Sequence, residues 1–299
     1  MLPGLGRKII FQWENTMQNA LLVSYNVSQW SIKRTDRDIS RQVASVVKGN
    51  EDKVGRFVKN LIDPKAPEYV AICRARDLGR KIHYSYTLPW QDGVRLLNAQ
   101  ALDSYVQQMQ RAKAIFDDAV NLFVEAYPSL IVAANRALSH GKQSYWRESD
   151  YPPAETIRAE FNLYWEISPV PSGGQFDDIA ALIGAAQAEK LAADMAEAND
   201  KKWAKATKAV WQRLYDVLSH ASQQLNHGER IHDSVMNNLS ELCDLLPILN
   251  VSKDPELDQR RRELQAVLRS YSAQSVKDKG NRQSCASEVD AILARINII

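Results

Sequence analysis

The stretch LDSYVQQMQRAKAIFDDAVNLFVEAYPSLIVAANRA, residues 102–137, decides how the rest of the chain is read. Its apolar positions fall at Leu102, Tyr105, Met109, Ala112, Phe116, Ala119, Phe123, Ala126, Leu130, Ala133 and Ala137. The gaps alternate between three and four, the register of a coiled-coil seam. Large side chains and alanines alternate along most of it, so a partner helix can come close at the alanines and interlock at the aromatic positions. The pattern predicts one helix from Gly93 to His140, reaching roughly 70 Å at the helical rise per residue. Pro128 lies inside the register and predicts a kink, since the stripe keeps phase across it.

A second seam runs through Trp203, Ala206, Val210, Leu214, Val217, Ala221 and Leu225, on a helix expected from Asp177 to Leu225. Its earlier part, Ala185–Lys202, is rich in Ala, Glu and Lys, strong helix formers with little to bury, and reads as an exposed stalk. The partner expected for this seam is the first long helix.

Shorter elements flank the pair. Leu21–Trp30 alternates Val23, Tyr25 and Val27 with polar residues, which is strand-like, with helix as the competing reading. Thr35 and Asp38 resemble a capping box for a helix whose apolar face is Ile39, Val43, Val46 and Val47. Asn50 is positioned to cap another helix through Leu61, and Pro67 suits the first turn of a third that runs to Tyr86. Leu88–Gly93 reads as a turn-rich bridge. A short helix is expected near Ala154–Glu160. Phe161–Ile167 is the second strand candidate, an edge ended by Pro169 and Pro171, and it is paired with Val23–Val27. Beyond the break at Gly228, a buried helix carries Ile231, Val235, Leu239, Leu242, Leu246 and Leu249. Asp254-Pro255-Glu256 starts the next helix. Ser272–Gln283 reads as a polar, mobile segment before a last amphipathic helix with Val289, Ile292, Leu293 and Ile296.

The fold expected is therefore mainly α: two long antiparallel coiled-coil-like helices, flanking shorter helices and a small two-stranded β ribbon. Residues 1–90 form a basic N-terminal helical region, 91–250 the long pair with a core helix, and 251–299 the C-terminal helices. Twelve glycines and eleven prolines in 299 residues suit long helices better than many strands and turns. No apolar run is long enough to span a bilayer, and the opening residues do not read as a secretory signal. Cys73, Cys243 and Cys285 are odd in number and far apart, and read as reduced, mostly buried thiols of a cytosolic protein.

The formal charge of +2 conceals an asymmetry: residues 1–90 carry +7, residues 91–249 carry −7 and residues 250–299 carry +2. The basic part can dock on the acidic helices of the same chain or on an external partner. Residues of chemical interest are few. His220, His227 and His232 with Asp233 and Cys243 lack the four-residue spacing of helical metal ligands. No nucleophile elbow and no phosphate-cradling glycine loop is present. Neither a catalytic set, nor a metal, nor a cofactor is expected. The basic clusters are Lys33, Arg34, Arg37 and Arg41; Arg74, Arg76, Arg80 and Lys81; and Arg260–Arg262, each with acidic residues among them.

Three blocks together resemble one family: residues 26–34 (NVSQWSIKR), residues 87–97 (TLPWQDGVRLL) and the block from Trp211 through Leu249-Asn250. They look like a helical family carried by tailed phages and plasmids and catalogued as domain of unknown function 3150. Membership implies a neighbourhood of MoxR-type ring ATPases and von Willebrand-like adhesion modules, and so a role as an adaptor. The family supplies no catalytic residue. The function expected is a non-enzymatic scaffold that works by protein contact, with a ring ATPase or host factor as partner. Its candidate surfaces are Lys33, Arg34, Arg37, Arg41, Arg74, Arg80 and Lys81 on the basic helices, and Glu189, Lys190, Glu197 and Lys201 on the stalk. Self-association along the 102–137 seam is the homotypic version. The alternative is a nucleic-acid-binding accessory protein using the N-terminal basic clusters.

Overall fold

The computed structural model describes residues 19–49, 53, 55–140, 143–228 and 230–296. In chain order the elements are β1 (Ala20–Ser28), β2 (Lys33–Thr35), α1 (Arg37–Val46), β3 (Val58–Asn60), α2 (Pro67–Tyr86), β4 (Thr87–Gln91) and β5 (Val94–Asn98). Then come α3 (Leu102–Leu138), β6 (Ser139–His140), β7 (Gln143–Ser144), β8 (Asn162–Pro169), α4 (Ala180–Ile183), α5 (Ala185–His227), α6 (Asp233–Leu249), α7 (Pro255–Ser270) and α8 (Lys279–Leu293). The chain forms two compact units, one of residues 1–24, 83–106 and 166–299, the other of residues 25–82 and 107–165. Neither is continuous in sequence, and β1, α2, α3 and β8 each contribute residues to both.

The mainly helical reading holds, but the strand content exceeds a ribbon. One sheet has the order β4-β5-β1-β8, and β2-β3 and β6-β7 form separate pairs. Strand β8 lies at the edge beside β1 and ends on Pro169, a residue that edge strands tolerate. The bridge expected at Leu88–Gly93 is a hairpin: Gln91 pairs with Val94 across the two-residue turn Asp92-Gly93. Gly93 sits at φ 73°, which glycine adopts without a Cβ clash. The long helix therefore starts at Leu102 and not at Gly93.

In the first unit α5 is the spine. Its buried positions Trp203, Ala206, Val210, Leu214, Leu218, Ala221 and Leu225 follow the sequence seam, with Leu218 fully buried where Val217 was expected. That stripe is covered by α6, α8 and strand β4 of its own unit. Trp203 packs edge-on to Trp90 at 6.2 Å. Helix α5 starts later than expected, because Gly184 at φ 88° separates it from α4. Residues 185–202 are largely exposed, yet Ala188 and Asn199 are buried. The segment before α5 covers one flank, with the Asn199 amide donating to the Pro171 carbonyl at 2.9 Å. Asp254 caps α7 by accepting from Glu256 and Leu257 N–H, as the sequence signature predicts. The 272–283 segment is anchored, since Val276 is fully buried and Asp278 caps α8.

The second unit is built on the part of α3 from Gln107 onward. The helix runs through Pro128 without a break. Its buried residues are Tyr105, Met109, Ala112, Phe116, Ala119, Val120, Phe123, Tyr127 and Ala134. The stripe keeps the three–four spacing from Tyr105 through Phe123 and then falls on Tyr127 and Ala134, one residue past the heptad positions Ala126 and Ala133, as expected of a helix nearer 3.6 residues per turn. The heptad pattern drifts off it, and Ala133 and Ala137 are exposed. The half-buried Trp30 packs on this core, its ring 5.7 Å from Tyr127, 6.4 Å from Tyr151 and 6.5 Å from Phe123. Tyr127 and Tyr151 satisfy their hydroxyls on the carbonyls of Pro152 and Leu61.

Candidate interaction surface

Residues 33–60 build a small β–α–β segment from local rules. Lys33, Arg34 and Thr35 pair antiparallel with Asn60, Lys59 and Val58. Between them α1 is capped by Asp36, whose Oδ1 accepts from the N–H groups of Asp38 and Ile39 at 3.2 Å. Thr35, the cap expected from the sequence, lies one residue too early. The helix expected through Leu61 is strand at residues 58–60, and its start near Asn50 lies outside the described residues.

Strand alternation turns Lys59 inward while Val58 and Asn60 face out. The Lys59 ammonium meets Asp150 Oδ2 at 2.7 Å, Asp36 Oδ2 at 3.2 Å and the Tyr145 carbonyl at 2.7 Å. All three of its N–H donors are thereby used. Arg34 Nε reaches the other Asp150 oxygen at 3.1 Å, and Arg147 bridges Asp38 at 2.8 Å and Asp36 at 3.6 Å. Burial by itself would raise the Asp36 carboxyl, but the Ile39 N–H, Lys59 and Arg147 together hold it below its usual value. The asymmetry of charge along the chain is spent in part here, since basic residues 34 and 59 meet an acid from the 91–249 region.

This polar knot sets the orientation of α1. The side of the helix toward the unit carries Asp36, Ser40 and Ala44, all buried. Ser40 Oγ donates to the Asp36 carbonyl at 2.6 Å and accepts from Phe57 N–H at 3.0 Å. The apolar face read from the sequence points the other way. Val43 is 43%, Val46 82% and Val47 55% exposed, and Phe57 and Val58 beside the helix are also exposed. Exposed Lys33, Arg37, Arg41, Lys48 and Arg56 surround this segment. Clustered large apolar side chains in water mark contact surfaces more often than scattered single ones do.

The structure places the other candidates as follows. Arg74, Arg80 and Lys81 are exposed on α2, and Glu189 and Lys190 are exposed at the start of α5. Glu197 and Lys201 are exposed too, and pair with each other at 2.6 Å. Lys33, Arg34, Arg37 and Arg41 come together on β2 and α1; Arg34 is engaged by Asp150, and Arg41 lies 3.5 Å from Asp38. The seam residues Tyr105, Met109, Phe116 and Phe123 are fully buried within the chain. Val46, Val47 and Phe57 were missed as surface features, because amphipathic periodicity says that a face exists and not which way it turns.

Elsewhere the described residues hold few reactive arrangements. His220, His227 and His232 are exposed, and no three His, Cys, Asp or Glu side chains among the described residues converge as a metal set. Burial pushes the Cys285 thiol up to about 11 and raises Cys243 as well, which leaves both unreactive. A cavity of about 380 Å³ in the first unit is lined by Asn98, Asn250, Lys253, Asp254 and Arg262 among others. Of these, Asn98, Asn250 and Asp254 are engaged locally. Asn98 bonds the Ile248 carbonyl and Gln100 N–H, Asn250 bonds both backbone groups of Asp254, and Asp254 takes the Trp211 indole N–H. These bonds hold the α6–α7 turn in place. Among the described residues no helix is long and apolar enough to cross a membrane.

No family model, no curated protein and no solved structure matches the chain.

Proposed function

We propose that this chain is a non-enzymatic helical adaptor that seats a partner protein on the outward valine face of α1 and the adjoining Phe57–Val58. The observation that carries the reading is the orientation of α1: it is anchored through a serine, an alanine and a buried ion cluster while its valines stand in water. Leaving three valines and a phenylalanine exposed forgoes roughly 1.5–3 kcal/mol of burial per fully covered side chain. A second surface that covers them recovers it. The basic surround favours a partner with an apolar ridge flanked by carboxylates. The resemblance to the phage- and plasmid-borne helical family belongs to the same reading, and makes a MoxR-type ring ATPase the first partner to assay.

The test is the double variant Val46→Asp/Val47→Asp in the full chain. Its melting temperature should stay within about 2 °C of the parent, because exposed substitutions are near neutral. Its affinity for the partner should fall at least tenfold, as two carboxylates enter the contact. Unchanged affinity in the variant sinks the reading. Binding instead to single- or double-stranded DNA, weakening steeply between about 50 and 200 mM salt, would favour the nucleic-acid alternative.

A further inference from the structure

In the first unit, two arginines converge on the C-terminal end of α2 without a carboxylate. Arg213, from the middle of α5, donates through Nη1 to the carbonyls of Ser85 at 3.1 Å and Tyr84 at 3.4 Å. Arg95, from β5, donates through Nε to Thr87 Oγ1 at 2.7 Å and through Nη2 to the Thr87 carbonyl at 2.9 Å. Its guanidinium also lies 4.2 Å over the Tyr84 ring, and Thr87 Oγ1 in turn donates to the His83 carbonyl at 2.5 Å. The four acceptors lie on residues 84, 85 and 87 of one chain turn, so the two guanidiniums are neighbours.

This arrangement does more than cap a helix. The carbonyl end of α2 supplies about half a negative charge, and the tyrosine face adds a weak attraction. Two whole positive charges face them. Both are half-buried, and burial lowers both guanidinium pKa values, with the like charge of Arg213 lowering Arg95 further. His83 contributes no charge, because burial and then Arg95 push its imidazole down to about 4. Among the described residues no Asp or Glu oxygen lies within salt-bridge distance of either arginine, although fifteen such pairs occur elsewhere. Each guanidinium offers five N–H donors. Arg95 commits two nitrogens and Arg213 one, so donors remain on both. Paired guanidiniums with spare donors and no fixed counter-charge match the geometry that phosphoryl oxygens accept.

We propose that Arg95 and Arg213 form a binding site for a phosphate-class oxyanion, with Tyr84 and Thr87 holding Arg95 in place. The site is separate from the valine face of α1 and does not depend on it. Tyr84 is half exposed, so the ring beneath Arg95 is reached by solvent.

The experiment titrates inorganic phosphate, and in a parallel arm a nucleoside monophosphate, into the full chain at constant ionic strength. Calorimetry reads the binding and circular dichroism the fold. Saturable binding of phosphate to the parent is expected. Arg95→Lys and Arg213→Lys keep the charge and the local tie but lose the bidentate fork, and each should weaken binding at least tenfold while the fold persists. Arg262→Gln, across the unit, should leave it unchanged. Tighter binding of the nucleoside monophosphate assigns the site to a phosphomonoester with a flat group against Tyr84; equal binding assigns it to free phosphate. Absence of saturable binding in the parent, or binding unaltered in both lysine variants, overturns the proposal.

Discussion

Helices α1 and α5 are amphipathic in opposite senses. On α5 the stripe from Trp203 to Leu225 is buried under α6, α8 and β4, and charged residues such as Lys201, Lys205 and Lys208 face water. On α1 the valines Val43, Val46 and Val47 face water, while Ser40 and Ala44 are buried. The same periodic signal thus describes a core helix and a presenting helix. What separates them is the anchor: a continuous apolar seam in one, a buried lysine between two aspartates in the other.

The largest effect that tests this contrast is a core deletion. Leu214→Ala should cost about 2–5 kcal/mol in urea unfolding, whereas Val46→Ala should shift stability by no more than about 0.5 kcal/mol. Comparable losses at the two sites would mean that α1 is not a presenting helix. Removing the anchor ranks next. Lys59→Ala leaves Asp36 and Asp150 buried with only the half-exposed Arg147 and Arg34 as counter-charges, an expected loss of about 3 kcal/mol, and Lys59→Met combined with Asp150→Asn should recover part of it. A Lys59→Ala protein as stable as the parent would show that the knot does not hold the segment.

A smaller effect separates the two units by pH. His83 is buried against the Tyr105 hydroxyl at 2.9 Å and protonates only near pH 4 in the folded chain. The unfolded chain takes up that proton from about pH 6.5 downward, so the unfolded state binds more protons between the two values. Stability should therefore fall as pH drops from 6.5 toward 4, by on the order of 3 kcal/mol. His83→Gln should flatten that part of the curve, as followed by melting temperature. Asp36 acts in the same direction at lower pH. Its carboxylate is favoured by folding, and its contribution is lost as pH falls below the normal carboxylate range. An equally steep decline between pH 6.5 and 4 in the glutamine variant would remove His83 from the account.

Much of the helical frame was legible from residues near one another in sequence. Trp203 to Leu225, Asp254-Pro255 and the α2 start at Pro67 all announce themselves through periodicity or capping chemistry. That strands form near residues 21–30 and 161–167 was legible too, from alternation and flanking prolines, and the two are neighbours in the sheet. The hairpin at residues 87–98 was missed although Asp92-Gly93 is a turn signal, because Val94, Leu96 and Leu97 extend the apolar pattern of the helix that follows. The strand at residues 58–60 was hidden by its length of three residues. The anchoring knot joins positions 36, 59 and 150, and the cationic pair joins 95 and 213. Nothing in local spacing links such distant residues.

The existence of the two long helices, the start of α7 at Asp254-Pro255 and the core stripe of α5 followed from the chain alone, since those features depend on side chains three or four positions apart and on single backbone groups. Which face of α1 meets water, and where two guanidiniums stand without a carboxylate, required the folded chain. Both depend on charges brought together across more than a hundred residues, and the cost of burying a charge is set by what surrounds it in space.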